Sequence, residues 1–144
     1  MPTRSTRRRT EVSIQVAVPR RGVPGAAALR RWARGFPATT LRIVGEREGR
    51  RLNRKFRAKD KATNVLAFPY GAGQGEIVLC HPVIAREARR QGKTLRAHYA
   101  HLVVHGLLHL RGHDHLRKRQ AARMERKEIL VLRRLGFADP YKVK

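Results

Sequence analysis

A small α/β (or α+β) domain, with a mixed four-stranded sheet packed against about five helices, follows from three features of the sequence. Four short segments read as strands, two by alternation of apolar and polar residues with period two and two as short apolar runs bounded by turn residues. About five longer segments carry helical spacing between glycine and proline stops. The two kinds are interleaved along 144 residues, a length that suits one modest core and no separate substrate domain.

Met1 to Thr10 is basic and aperiodic, so residues 1–10 are expected to be a disordered arm preceding one domain over 11–144. Val12, Ile14, Val16 and Val18 alternate within Glu11 to Val18 and predict a half-buried strand. After a proline- and glycine-rich link, Ala26 to Trp32 favours helix and stops before Gly35 and Pro37. Thr39 to Val44 predicts a second strand. Leu52 and Phe56, four apart amid charge, make Arg47 to Phe56 a basic amphipathic helix. Asn64 to Phe68 is a short strand expected to stop at Pro69. A turn over Gly71 to Gly75 leads to the strand Glu76 to Cys80. That turn lacks the lysine and following helix of a phosphate-binding loop. Pro82 opens a helix ending near Gln91, and Leu95 to Leu110 forms a long helix stopped by Gly112. Arg117 to Leu135 is the last helix, with Met124, Ile129, Leu132 and Leu135 on its apolar side.

Lys and Arg number 34 against 10 Asp and Glu, a net charge of +24 that favours phosphate polyanions and salt-sensitive binding. Basic residues concentrate in the N-terminal arm, between Arg47 and Lys61, and between Arg111 and Lys127. At 6% aromatic residues, extensive base stacking is not expected. The single cysteine, Cys80, excludes an internal disulfide or a cysteine zinc cage and reads as core. No apolar run approaches the ~20 residues of a membrane span, and no apolar signal segment opens the chain. A cytoplasmic protein without membrane attachment is the expectation.

The chemistry lies in HLVVHGLLHLRGHDH. His101, His105 and His109 recur every four residues and share one helix face. Neighbours in that row lie about 6 Å apart along the axis, so two can chelate one ion. His101 and His109 are too far apart for both to join His105. The third ligand therefore comes from beyond Gly112, from His113 or His115. Such a three-histidine site with an open position suits zinc first, with nickel, copper and iron as alternatives. The HExxH protease motif is absent, because Gly106 stands where its glutamate would be; that glycine is expected to leave room above the metal. Asp114 is a candidate to orient an imidazole, to act as a weak general base, or simply to form the turn.

HGLLHLRGHDH resembles the histidine signature of the YbeY family of zinc-dependent, single-strand-specific endoribonucleases that mature ribosomal RNA. LNRKFRAKDKATNVLAFPY, GEIVLC and GFADPY resemble further blocks of that family, in order from Leu52 to Tyr141. The resemblance implies one Zn2+ held by His105, His109 and His115 with a water, and no small-molecule cofactor. It implies that Arg57 faces the metal cleft, where a guanidinium can clamp a phosphodiester. Ala67 and His113 depart from the family, which often has Ser and Tyr there. His101 reads as packing or as an outer hydrogen-bonding neighbour.

The expected function is thus metal-assisted cleavage of single-stranded RNA, with rRNA and ribosomal particles as partners and maturation of the 16S 3′ end as the task. Arg54, Lys55, Lys59 and Lys61 are expected to track the RNA backbone. Two alternatives are a zinc-dependent peptidase or other hydrolase, and a non-catalytic ribosome assembly factor with a structural zinc. The sequence does not define an oligomeric state.

Overall fold

Alternation decides which face of the sheet each strand residue takes, and here both faces are covered. The computed structural model describes residues 12–112 and 118–142. The strands are β1 (Ser13–Val16), β2 (Thr39–Val44), β3 (Val65–Gly71) and β4 (Gln74–Cys80). The helices are α1 (Ala26–Trp32), α2 (Glu46–Arg57), α3 (His81–Gln91), α4 (Leu95–Leu110) and α5 (Lys118–Arg134). The mixed sheet runs β1-β2-β4-β3, with β1, β2 and β4 parallel and β3 antiparallel to β4.

Leu41 and Ile43 of β2 and Ile77 and Leu79 of β4 enter the main core with residues of α1, α4 and α5. Their alternates Val44, Val78 and Cys80, with Leu66 of β3, form a smaller cluster covered by Leu52 of α2 and by Phe68, Ala62 and Val83. Cys80 is buried as expected, and burial pushes its thiol pKa up. Trp32 lies in the main core, edge-on to Phe137. Helix α4 is central. From His98 onward every residue of it is buried except His101, His105 and His109, so the histidine row is its one partly open stripe. No helix among the described residues is long and apolar enough to cross a membrane.

Helix bounds follow the expected ones to within a residue or so, but the β3–β4 hairpin is longer than its composition suggested. β3 passes through Pro69 to Gly71, and β4 starts at Gln74 rather than Glu76. An edge strand tolerates the missing proline N–H, and the pairing is irregular between Pro69 and Gly71. Ala72 (φ 56°) and Gly73 (φ 76°) form the two-residue tip, the left-handed pair that suits the twist of a tight hairpin.

Two glycines permit close approaches. A Cβ on Gly106 would lie 3.0 Å from Ile77 Cδ1, so this glycine lets α4 press onto β4. That corrects the expectation that it clears space above a metal. At Gly75 a Cβ would lie 2.3 Å from the Phe68 carbonyl oxygen and 2.8 Å from Leu110 Cδ2. Backbone cannot yield as a side chain can. Gly75→Ala is therefore expected to destabilise the fold by about 3 kcal/mol, the upper end for overpacking, as read by denaturant unfolding.

Candidate active site

The histidine row opens onto a cleft of ≈ 540 Å³ bounded by α4, by edge strand β3, and by the end of α2 with its following loop. His105 and His109 line it from α4, while Arg57, Lys59 and Lys61 line it from the opposite bank. The same cleft has no carboxylate among its described lining residues. Two imidazoles facing three cations form a site for an anion beside a possible metal.

Local geometry explains why the loop cations face inward. Helix α2 ends at Arg57 because Ala58 turns left-handed (φ 56°), its N–H bonding back to the Arg54 carbonyl. Asn53, buried on α2, donates from Nδ2 to the Lys61 carbonyl at 2.7 Å and ties the far end of the loop to the helix. Arg57 is exposed and makes no ion pair with a described residue. Neither Arg54 nor Lys55 lines the cleft. Arg54 lies 3.9 Å from Asp60, whose carboxylate is also gripped by Arg50, and Lys55 lies over the Phe56 ring. The structure thus brings together His105, His109, Arg57, Lys59 and Lys61. His113, Asp114 and His115 lie outside the described residues.

Sequence reasoning missed Glu128. This α5 residue is fully buried, yet it accepts hydrogen bonds from His105 Nδ1 and from the Tyr141 hydroxyl, with His101 Nε2 3.5 Å away. Burial alone would raise its pKa, but the bonds from His101, His105 and Tyr141 outweigh that and hold it at about 2. The Tyr141 hydroxyl is pushed up, by burial first and then by the neighbouring carboxylate. A signal existed in the sequence. Glu128 stands four residues from both Met124 and Leu132, on the buried stripe of α5, where a charge demands a partner. Tyr141, beyond the last helix, offered no periodic signal.

His101, His105 and Glu128 present ligand atoms within 4.8 Å of one another, a possible metal-binding group. An alternative fit places an ion in the cleft. With Nδ1 of His105 bonded to Glu128, the ring offers an ion Nε2, and His109 follows one turn later beside the same cleft. Imidazoles at this spacing suit a borderline metal, and a carboxylate behind a ligating histidine fixes its tautomer and orientation. His101 lies deeper, with Nε2 3.2 Å from the Tyr141 hydroxyl.

Comparison with known proteins places this cleft in a family context. The family model described as endoribonuclease YbeY matches residues 26–136. The chain is similar to the endoribonuclease YbeY of Aromatoleum aromaticum, 54% identical over 125 residues covering 82% of this chain and 81% of that protein. It is also 50% identical to the endoribonuclease YbeY of Nitrosomonas eutropha over 137 residues, covering 90% and 97% respectively. Among solved structures, the solution structure of TM1509 from Thermotoga maritima superposes with a TM-score of 0.53 at 23% identity. That match covers 92% of this chain and 99% of the other, a likeness of fold.

Proposed function

The chain belongs to the endoribonuclease YbeY family, and from that premise we propose a metal-dependent, single-strand-specific endoribonuclease acting in ribosomal RNA maturation. The observation that carries the reading is the cleft itself: His105 and His109 on one bank, Arg57, Lys59 and Lys61 on the other. An anionic substrate is drawn between the two.

The resident ion in this reading is zinc, held by His105, His109 and His115. The deeper trio is the less favoured seat in this reading, because the Glu128 carboxylate is already engaged by hydrogen bonds from His105 and Tyr141. When bound, zinc supplies a Lewis acid and lowers the pKa of a coordinated water. The remaining work belongs to the protein. Arg57 binds the scissile phosphodiester through its guanidinium fork and stabilises charge that develops on the phosphoryl oxygens. Lys59 and Lys61 hold the backbone on either side, with Arg54 and Lys55 as a weaker outer margin. Glu128 fixes the His105 ring, and Asp114 orients a further imidazole. Residues 11–144 act as one cytoplasmic domain preceded by the basic arm, and the substrate is ribosomal RNA within ribosomal particles, at the 3′ end of the 16S species.

The test is digestion of one RNA sequence presented single-stranded and as a duplex, with end-labelled products resolved by size. Internal cuts in the single strand and an intact duplex are expected. Stepwise shortening from an end, or equal cutting of both forms, would contradict the reading. A 2′,3′-cyclic phosphate with a 5′-hydroxyl on the products would assign the nucleophile to the RNA 2′-hydroxyl, and a 5′-phosphate with a 3′-hydroxyl would assign it to water.

A further inference from the structure

A second basic recess lies where the ends of α1 and α4 meet, away from the histidine cleft. It is a cavity of ≈ 940 Å³ with Arg30, Arg31, Arg34 and Arg111 around a wall that includes Phe36 and Pro37. We propose that this recess is a second RNA-binding site that takes the phosphate backbone of the substrate strand outside the scissile cleft.

The recess gathers charge that no acidic side chain among the described residues neutralises. Arg42 pairs with Glu48, Arg50 with Asp60 and Arg86 with Glu46. Other surface arginines, such as Arg20 and Arg21, are unpaired among the described residues but scattered; what sets the recess apart is convergence. The four recess arginines are exposed and make no ion pair with any described residue. No acidic residue is among the described residues lining the cavity. Arg30 and Arg31 occupy the last turn of α1, where cations complement the helix dipole. That role accounts for neither Arg34, beyond the helix, nor Arg111, which arrives from α4. Four like charges converging on one recess repel each other, and a bound polyanion relieves that repulsion.

The recess is also shaped for more than a lone anion. Its volume is that of pockets that admit whole organic ligands, about 300–1,000 Å³. One wall is the Phe36 ring, with the Arg111 guanidinium 5.3 Å from its centre, so a planar cation is already seated on the aromatic face. Guanidinium forks here suit a phosphate, and the outer plane of the Arg111 guanidinium, rather than the covered ring, offers a base a stacking partner.

Position links the recess to the cleft. Arg111 follows α4 directly and stands two residues after His109. Two residues correspond to about 3 Å of rise and roughly 200° of rotation, so the two side chains project from nearly opposite sides of the helix end. A strand leaving the cleft around that end crosses about 10–12 Å, one helix diameter, before meeting the arginines. The site thus extends the grip on RNA without touching the reacting phosphate. It rests on RNA being the substrate.

The test compares the double variant Arg30→Ala/Arg34→Ala with Arg20→Ala/Arg21→Ala, which loses the same charge from the exposed link after β1. A six-nucleotide and a thirty-nucleotide single-stranded RNA serve as substrates. For the recess variant, KM and Kd for the long RNA should rise about tenfold. Its kcat, and every constant for the short RNA, should match wild type. The salt dependence of long-RNA binding should lose about 1.4 from its slope, the loss of two phosphate contacts on a single strand. An unaltered long-RNA affinity would overturn the proposal, and so would an equal loss in the control variant or with the short RNA. If wild type cuts neither RNA, the nuclease reading fails. The binding measurements still decide the recess.

Discussion

Arg57→Ala is expected to lower kcat for single-stranded RNA cleavage by about 10²–10³, the loss seen when one preorganised donor to a developing oxyanion is removed. Metal content and melting temperature should stay at wild-type values. The expectation rests on where the structure leaves this side chain. Arg57 ends α2, lines the cleft opposite His105 and His109, and has no carboxylate partner among the described residues. Its removal therefore breaks no described ion pair and opens no core, so stability has little reason to change. Arg57→Lys should fall between, because an ammonium keeps the charge and loses the two-pronged contact. The corresponding change at Arg54, which lies beside Asp60 and off the cleft, should cost at most a few-fold in KM. A cleavage rate for Arg57→Ala within threefold of wild type would remove the proposed clamp.

Glu128→Ala carries the second large effect, and its first readout is metal affinity rather than rate. The carboxylate accepts from His105 Nδ1 and from Tyr141 at a position with no solvent exposure. Deleting it frees the His105 ring to rotate and to change tautomer, which should weaken zinc binding by about 10–100-fold in a competition with a chelating dye. It also leaves two part-buried donors without their acceptor, so the fold should soften as well, by about 1–3 kcal/mol in all. Glu128→Gln separates the two effects, since it keeps the volume and an acceptor oxygen while losing the charge. It should retain most of the stability but recover only part of the zinc affinity. Zinc binding by Glu128→Gln equal to that of wild type would assign the carboxylate a purely structural task.

The same residue sets an acid limit. Its pKa in the fold is held at about 2, below the ordinary 4.5, so its ionised network adds stability above pH 4.5. That contribution is lost as the pH falls from 4.5 toward 2. In Glu128→Gln, stability should be lower at neutral pH and change less across this window.

The contrast between Arg57 and Glu128 also shows what the sequence could disclose. Period-two alternation placed β1 and β2, short apolar runs placed β3 and β4, and helical spacing placed the histidine row on one face of α4, because all these signals are local. That row emerged as the open stripe of an otherwise buried helix. Arg57 was legible only through its resemblance to a family motif. Eight basic residues between Arg47 and Lys61 look alike in one dimension, and the contact of Asn53 with the Lys61 carbonyl, which helps set the inward-facing bank, is tertiary. Glu128 lay further from reach, since its meaning depends on α5 packing beside α4, although its place on an apolar stripe marked it as anomalous. Gly106 misled for a related reason. A glycine beside metal ligands suggested open space, whereas the missing Cβ accommodates Ile77 on the neighbouring strand. The +24 charge, conspicuous as a total, includes two local concentrations, a cleft bank and an arginine recess, within a larger number of scattered surface cations.

The most direct measurement of the whole account is a zinc titration of chelator-stripped protein, with cleavage of single-stranded RNA followed at each step. Cleavage should be absent at the start, rise in proportion to zinc, and level off at one equivalent, with His105→Ala silent throughout. Full cleavage by the stripped protein, or a His105→Ala chain that cuts as wild type does, would contradict it.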